Sequence, residues 1–185
     1  MGDHISSVVR RCYCVLVGVA RMRQKLPKCT RRLLVEALVF PHLRYCLTVW
    51  GSCTAGQKQR IQKVINFGVR IVVGLGRRDH VTPALRQLEW CKVDELIAER
   101  DIAAIRHLIN APCASELLRE RVVLRSDVSC RRTRATEDGQ LQLPQVRTES
   151  ARRSFVFRAT RTWNELPCSV RQHTRLRVLP QDDAC

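Results

Sequence analysis

The sequence predicts a mainly α-helical protein, and three observations carry that expectation. Apolar residues make up 45% of the 185 residues, enough to form a folded core. Aromatic residues supply only 5%, so Leu, Val and Ile must build that core. These residues recur at three- and four-residue steps through most of the first 112 positions, the spacing of one buried helix face. The expected organisation is a helical bundle over 1–112 and a less regular basic region over 113–167, with one or two short strands and a final short helix. A poorly ordered tail is expected over 168–185.

Taken in order, the first helix is expected from about His4 to Lys25. Ile5, Val8, Val9, Cys12, Leu16, Val19 and Ala20 form its buried face, and Leu26-Pro27 ends it. A second helical stretch runs from Thr30 to Trp50. Leu33, Leu34, Ala37 and Leu38 form its first stripe, Pro41 kinks or splits it, and Tyr45, Cys46, Val49 and Trp50 continue the buried side. The third helix is the clearest. Thr54 suits an N-cap, and Ile61, Val64, Ile65, Gly68, Ile71, Val72 and Leu75 keep helical spacing. Gly74 and Gly76 terminate it; their GxG follows a helix and lacks a third glycine, so it reads as a C-cap and not a phosphate loop.

Thr82-Pro83 opens a short helix ending near Leu88, and Asp94 opens a longer one on which Ala98, Ile102, Ile105 and Ile109 share a face. Beyond Cys113 the pattern loosens. Leu141, Leu143 and Val146 alternate with polar residues, suggesting a short strand interrupted at Pro144. Phe155, Ala159 and Trp163 fall four apart and mark the last helix.

The charge balance narrows the partner. Lys and Arg number 33 against 17 Asp and Glu, a formal charge of +16, with arginine supplying most of the excess. Guanidinium groups fork onto phosphate oxygens, and a folded domain this basic repels itself unless a polyanion neutralises it. A nucleic acid is therefore the first inference. The 10 cysteines include no CxxC pair, so neither a zinc site nor a regular disulfide framework is expected; free thiols in an intracellular protein, nuclear or cytoplasmic, fit better. Arg10-Arg11 followed by Cys12 to Ala20 imitates a short signal peptide, but Val8 and Val9 extend the same apolar face upstream as a helix does. No apolar run reaches the ~20 residues of a membrane span, so no membrane partner is expected. The histidines His4, His42, His80, His107 and His173 are scattered without a metal or nucleophile pattern, and no cofactor is expected.

Several short runs are distinctive together. Pro41-His42-Leu43-Arg44-Tyr45-Cys46 precedes Val49-Trp50-Gly51; Ile61-Gln62-Lys63-Val64 precedes Gly74-Leu75, Val81-Thr82-Pro83 and Leu88-Glu89-Trp90. Val146-Arg147-Thr148, Arg152-Arg153-Ser154-Phe155, Arg158-Ala159 and Trp163-Asn164-Glu165-Leu166-Pro167 follow. In this order, from His4 to Pro167, they resemble the region downstream of the polymerase palm in non-LTR (LINE-type, jockey-like) retrotransposon reverse transcriptases. The resemblance implies a polymerase-thumb-like helical bundle for 1–112 and a C-terminal domain of less certain role after it.

It implies, too, that the metal-holding aspartates of that family lie in an aromatic-x-Asp-Asp motif upstream of Met1. Asp182-Asp183 is the one Asp-Asp pair here, and it sits in a polar tail without flanking apolar strands. No catalytic or metal-binding residue is carried over, and no enzyme activity of the chain alone is expected. The leading expectation is a truncated element-encoded protein that retains sequence-tolerant binding of an RNA–DNA or DNA duplex, with the palm of the parent polymerase as a further partner. The alternatives are a host-recruited DNA-binding or scaffolding protein, and a decayed reading frame without function.

Candidate phosphate contacts are Lys58, Lys63 and Arg70, expected on one side of the third helix, with Arg77 and Arg78 extending the patch beyond its end. Arg131, Arg132, Arg134, Arg152 and Arg153 would serve the C-terminal part. Taken singly, each reads better as a solvated surface charge; together, the excess points to a polyanion.

Overall fold

The computed structural model describes residues 2–111, 113–128 and 138–175, and they are mainly helical. The chain divides into two compact units, Met1–Ile97 and Ala98–Cys185, with the division inside a helix and ahead of the change of character at position 113.

In the first unit, helix α1 (Gly2–Arg21) buries the stripe its spacing announces, with Cys12 and Leu16 fully enclosed. Helix α2 (Lys28–Leu38) is phased differently from the sequence expectation. Val35 and, just beyond the helix, Val39 face the core, whereas Leu33 is 65% exposed and Ala37 and Leu38 also face outward. The chain breaks at Val39, so that Pro41 falls in the first turn of α3 (Phe40–Arg44), where a missing N–H costs nothing.

A second break follows at once. Tyr45 is extended and Cys46 left-handed (φ 49°), which resets the helical phase before α4 (Leu47–Trp50). That reset corrects the expected buried side: Leu43, Leu47 and Trp50 enter the core, while Tyr45, Cys46 and Val49 stay exposed. The Trp50 indole N–H donates to the Tyr45 carbonyl at 2.8 Å and ties the break together.

Helix α5 (Ala55–Val73) packs against α1, α2 and α6 (Thr82–Gln87). It buries Ile61, Val64, Ile65, Gly68, Val69, Ile71 and Val72. Gly68 marks the closest approach: a Cβ there would lie 3.3 Å from Val35 Cγ1 and 3.5 Å from the Trp90 ring. Trp90 stacks edge-on against Phe40 at 4.9 Å, and its indole N–H donates to Glu36 Oε1 at 2.8 Å. Val93, Leu96 and Ile97, at the start of α7 (Val93–Asn110), complete this core.

The second unit takes the rest of α7, α8 (Glu116–Arg119), α9 (Arg125–Val128), α10 (Glu149–Arg152), α11 (Phe155–Asn164) and α12 (Cys168–Arg175). Among the described residues its core is small: Ile105, Leu141, Ala159 and Trp163 cluster, with Ile102, Ile109, Val122, Leu124, Phe155 and Leu166 around them, and Leu108 is also buried. Polar contacts supplement it. Arg158 donates through Nε and Nη2 to the two carboxylate oxygens of Asp101, at 2.6 and 3.0 Å, and Asp101 is wholly buried. The side-chain amide of Asn164 both donates to and accepts from the backbone of Leu141, each at 2.9 Å.

The strand expected over Leu141, Leu143 and Val146 is, among the described residues, one isolated antiparallel bridge between Leu124 and Leu141. Part of the segment expected as a poorly ordered tail is helical, as α12. Arg171 holds it by donating to the carbonyls of Asp138, Asn164 and Leu166 at 2.6 to 3.0 Å.

Two substitutions test these cores. Gly68→Leu is expected to force α2 and α5 apart and to destabilise the first unit by about 1–3 kcal/mol, read from the urea-unfolding midpoint. Arg158→Met removes the two-pronged contact to the buried Asp101 carboxylate, and about 3–5 kcal/mol should be lost from the second unit.

Candidate nucleic-acid interface

Helix α5 starts at Thr54, whose extended backbone breaks the chain direction and whose N–H donates to Gln57 Oε1 at 2.9 Å. The apolar face then fixes where its cations point. Lys63 and Arg70 are seven positions apart and fall within about 20° of each other round the helix, but Lys58 lies about 140° from Lys63. The expected single side bearing all three does not form.

Lys58 instead pairs with Asp94 (Nζ to Oδ1, 2.7 Å) and lines a cavity of about 430 Å³ with Gln62, Asn66, Lys92 and Asp94. Its charge is already matched there, although Asp94 is 75% exposed and water screens the pair.

Lys63 and Arg70 line a different groove of about 590 Å³, together with Ala20, Arg23, Asn66, Phe67, Ile71, Leu75 and Arg77. Four of these nine residues are cationic and none is acidic. Lys63, Arg23 and Arg77 are exposed and Arg70 half-buried. The floor is apolar: Ile71 is buried, Leu75 half-buried, and the half-buried Phe67 ring contacts Tyr13 of α1 at 5.8 Å.

The far end of the groove is a braced turn. Gly74 adopts φ 88°, which an L side chain resists, and its N–H and that of Leu75 both return to the Arg70 carbonyl, at 2.9 and 3.1 Å. The Arg70 guanidinium folds over this turn, donating to the Gly76 carbonyl and, at 3.0 Å, to that of Asp79. Asp79 Oδ2 accepts the Gly76 N–H at 2.6 Å and leaves no room for a Cβ on Gly76 without displacement. Arg31 reaches from α2 to donate to the Ile71 carbonyl at 2.7 Å, satisfying one more open group at the C-terminus of α5. Arg77 and Arg78 are therefore displayed, exposed, on a rigidly anchored tip; Arg77 lines the groove and Arg78 is not part of its lining.

The remaining candidates belong to the second unit. Arg131, Arg132 and Arg134 lie outside the described residues. Arg152 is exposed, 3.9 Å from Glu149, and Arg153 is half-buried with its carbonyl accepting from Arg158 at 3.0 Å. Sequence reasoning missed Arg23, Asn66 and Phe67. Arg23 follows the end of α1, and no linear spacing relates it to α5; Phe67 lies beside the regular apolar stripe, and its spacing carries no signal of a site.

Titratable groups elsewhere are tuned for structure. Burial pushes the Cys12 thiol up to about 11, against a smaller opposing backbone hydrogen bond, so it is a poor nucleophile. Burial works to raise the Glu36 carboxyl, but the hydrogen bonds from Trp90 and Arg32, with the charges of Arg32 and Arg44, outweigh it and hold the group below its ordinary value. The hydrogen bond to Asp138 raises the Cys168 thiol, assisted by burial and by the Asp138 charge. Among the described residues there is no cluster of three His, Cys, Asp or Glu side chains able to hold a metal ion, and no helix is long and apolar enough to cross a membrane. Comparison with family models, with curated proteins and with solved structures gave no match.

The brace is open to a direct check. Arg70→Gln removes both guanidinium contacts to the turn, and limited trypsin cleavage after Arg77 or Arg78 should then quicken several-fold, with the overall melting temperature little changed.

Proposed function

We propose that this chain binds nucleic-acid duplexes through their phosphate backbones, tolerantly of sequence and without chemistry of its own. In this reading it is a relative of the thumb and C-terminal regions of non-LTR retrotransposon reverse transcriptases, working inside the cell on an RNA–DNA or DNA duplex. The observation that carries the reading is the groove beside α5, where Arg23, Lys63, Arg70 and Arg77 converge and no acidic side chain joins them. Such a cluster repels itself in isolation and is relieved when phosphates replace the counterions around it. The formal charge of +16 acts in the same direction at longer range, concentrating any polyanion near the surface.

The arginine-rich composition suits shape and backbone contact better than base reading. Recognition helices place Asn, Gln and Arg in their first turns against base edges. The first turns of α5 offer Gln57, Lys58 and Gln59, but Gln57 is engaged with Thr54 and Lys58 with Asp94. A second reading, a scaffolding protein built on the same helices, draws on Leu33, Leu38, Tyr45 and Val49, which stay exposed. It differs in expecting a defined protein partner in place of a salt-dependent polyanion.

The test is a binding titration of a short RNA–DNA hybrid over a range of salt. Affinity should fall with a log–log slope of about −0.7 to −0.9 per neutralised phosphate, with little change between unrelated sequences. Replacing Lys63 and Arg77 together by Gln should flatten the slope by about two contacts, while Lys58→Gln leaves it nearly unchanged. A salt-independent affinity, or one confined to a single sequence, would refute the proposal.

A further inference from the structure

The groove has a feature that phosphate contact alone leaves unused. Its cations stand around a floor that is apolar and partly aromatic, formed by Phe67, Ile71 and Leu75. Phosphates gain nothing from such a floor, since an ionised oxygen placed against hydrocarbon loses hydration without a compensating hydrogen bond. An intact duplex offers its backbone outward and keeps its bases stacked inside, so its apolar faces cannot reach that floor either.

An unpaired base can. It has a flat apolar face for Phe67 and is joined on both sides to phosphates for the surrounding cations. Sites that hold single strands without sequence preference combine a basic track with an aromatic platform in this way. The cavity, about 590 Å³, lies within the ~300–1,000 Å³ typical of sites that enclose a small organic group. Asn66 lines the groove and provides an amide; its Oδ1 accepts from Gln62 at 2.9 Å, which turns the amide nitrogen into the remaining donor. Arg70 is fixed by the turn carbonyls, so Arg23, Lys63 and Arg77 are left to meet phosphates.

We infer that this groove receives an unpaired nucleobase, so that the preferred ligand is a duplex carrying a single-stranded extension and not a blunt duplex. The inference rests on the duplex-binding reading above and specifies which part of the nucleic acid occupies the groove. The base is held by stacking on Phe67, its flanking phosphates by the exposed cations, and base identity matters little because every base has a stacking face.

The experiment compares three ligands on the full chain at one salt concentration: a blunt RNA–DNA hybrid, the same hybrid with a four-nucleotide overhang, and the same overhang built from abasic sugar-phosphate units. The abasic overhang carries the same charge as the natural one. The natural overhang is expected to bind at least about fivefold tighter than the abasic one. Phe67→Leu, which keeps an apolar side chain against Tyr13, should remove that difference while preserving the salt slope. Because the ligand comparison uses the unaltered protein, it stands even if the variant folds poorly. Equal affinity for natural and abasic overhangs, with salt-dependent hybrid binding intact, overturns this inference and leaves the duplex-binding reading standing. Loss of salt-dependent binding to all three ligands overturns both.

Discussion

Close packing of helix α5 against three neighbours dictates where the first unit can present charge. Seven of its residues are buried, and Gly68 allows the side chains of Val35 and Leu16 and the Trp90 ring to approach the helix backbone. With 3.6 residues per turn, burial on that scale leaves only part of the helix circumference free. One edge of this free surface carries Lys58, which Asp94 neutralises; the other carries Lys63, Phe67 and Arg70 and forms the groove, and Asn66 lines both. A larger residue at position 68 would move α2 and, with it, Arg31, whose contact with Ile71 helps finish the helix from which the turn at Gly74 departs. The position of Arg77 is thus a consequence of core packing.

The second unit solves its packing problem by other means. Among the described residues, five buried apolar side chains, Ile105, Leu108, Leu141, Ala159 and Trp163, make a thin core, and directional contacts supplement it. Asp101 with Arg158, Trp163 with the Gly139 carbonyl, Asn164 with Leu141, and Arg171 with the Asp138 carbonyl each join segments distant in sequence, and Arg171 also ties down the nearby Asn164 and Leu166 carbonyls. These are high-stakes contacts, since a partner removed from any of them strands a buried polar group. They also change the meaning of the charge count. Arg31, Arg70, Arg119, Arg158 and Arg171 spend guanidinium donors on the protein's own carbonyls or carboxylates. The number of cations available to a polyanion is smaller than composition suggests, and their placement counts for more than their sum.

Much of the fold was legible because long helices repeat their apolar pattern often enough to average out exceptions. The stripes of α1 and α5, the glycine termination at Gly74 and the Phe155–Ala159–Trp163 spacing all correspond to buried faces or caps. Between Leu33 and Trp50 the split at Pro41 and the burial of Trp50 correspond to the structure, but the other buried faces differ because the helices are short and the left-handed Cys46 resets the phase between them. Nothing in the residue type announces that conformation, which glycine or asparagine would have signalled. Position 168 onward looked like tail because α12 lacks an apolar stripe; its anchor is Arg171, a residue ordinarily assigned to the surface. As for the site, Lys63, Arg70 and Arg77 were accessible from spacing and charge. Grouping Lys58 with them overlooked a five-residue step, and Arg23 and Phe67 depend on tertiary contact between helices.

The nucleic acid proposed as the ligand should lie along the Lys63 side of α5. Lysine acetylation mapped by mass spectrometry, with and without a saturating RNA–DNA hybrid at low salt, addresses that placement residue by residue. Lys63 is predicted to lose most of its reactivity when the hybrid is added, while Lys58 and Lys92, which line the other cavity, keep theirs. Unchanged labelling of Lys63 in a complex that protects Lys58 and Lys92 would contradict the account.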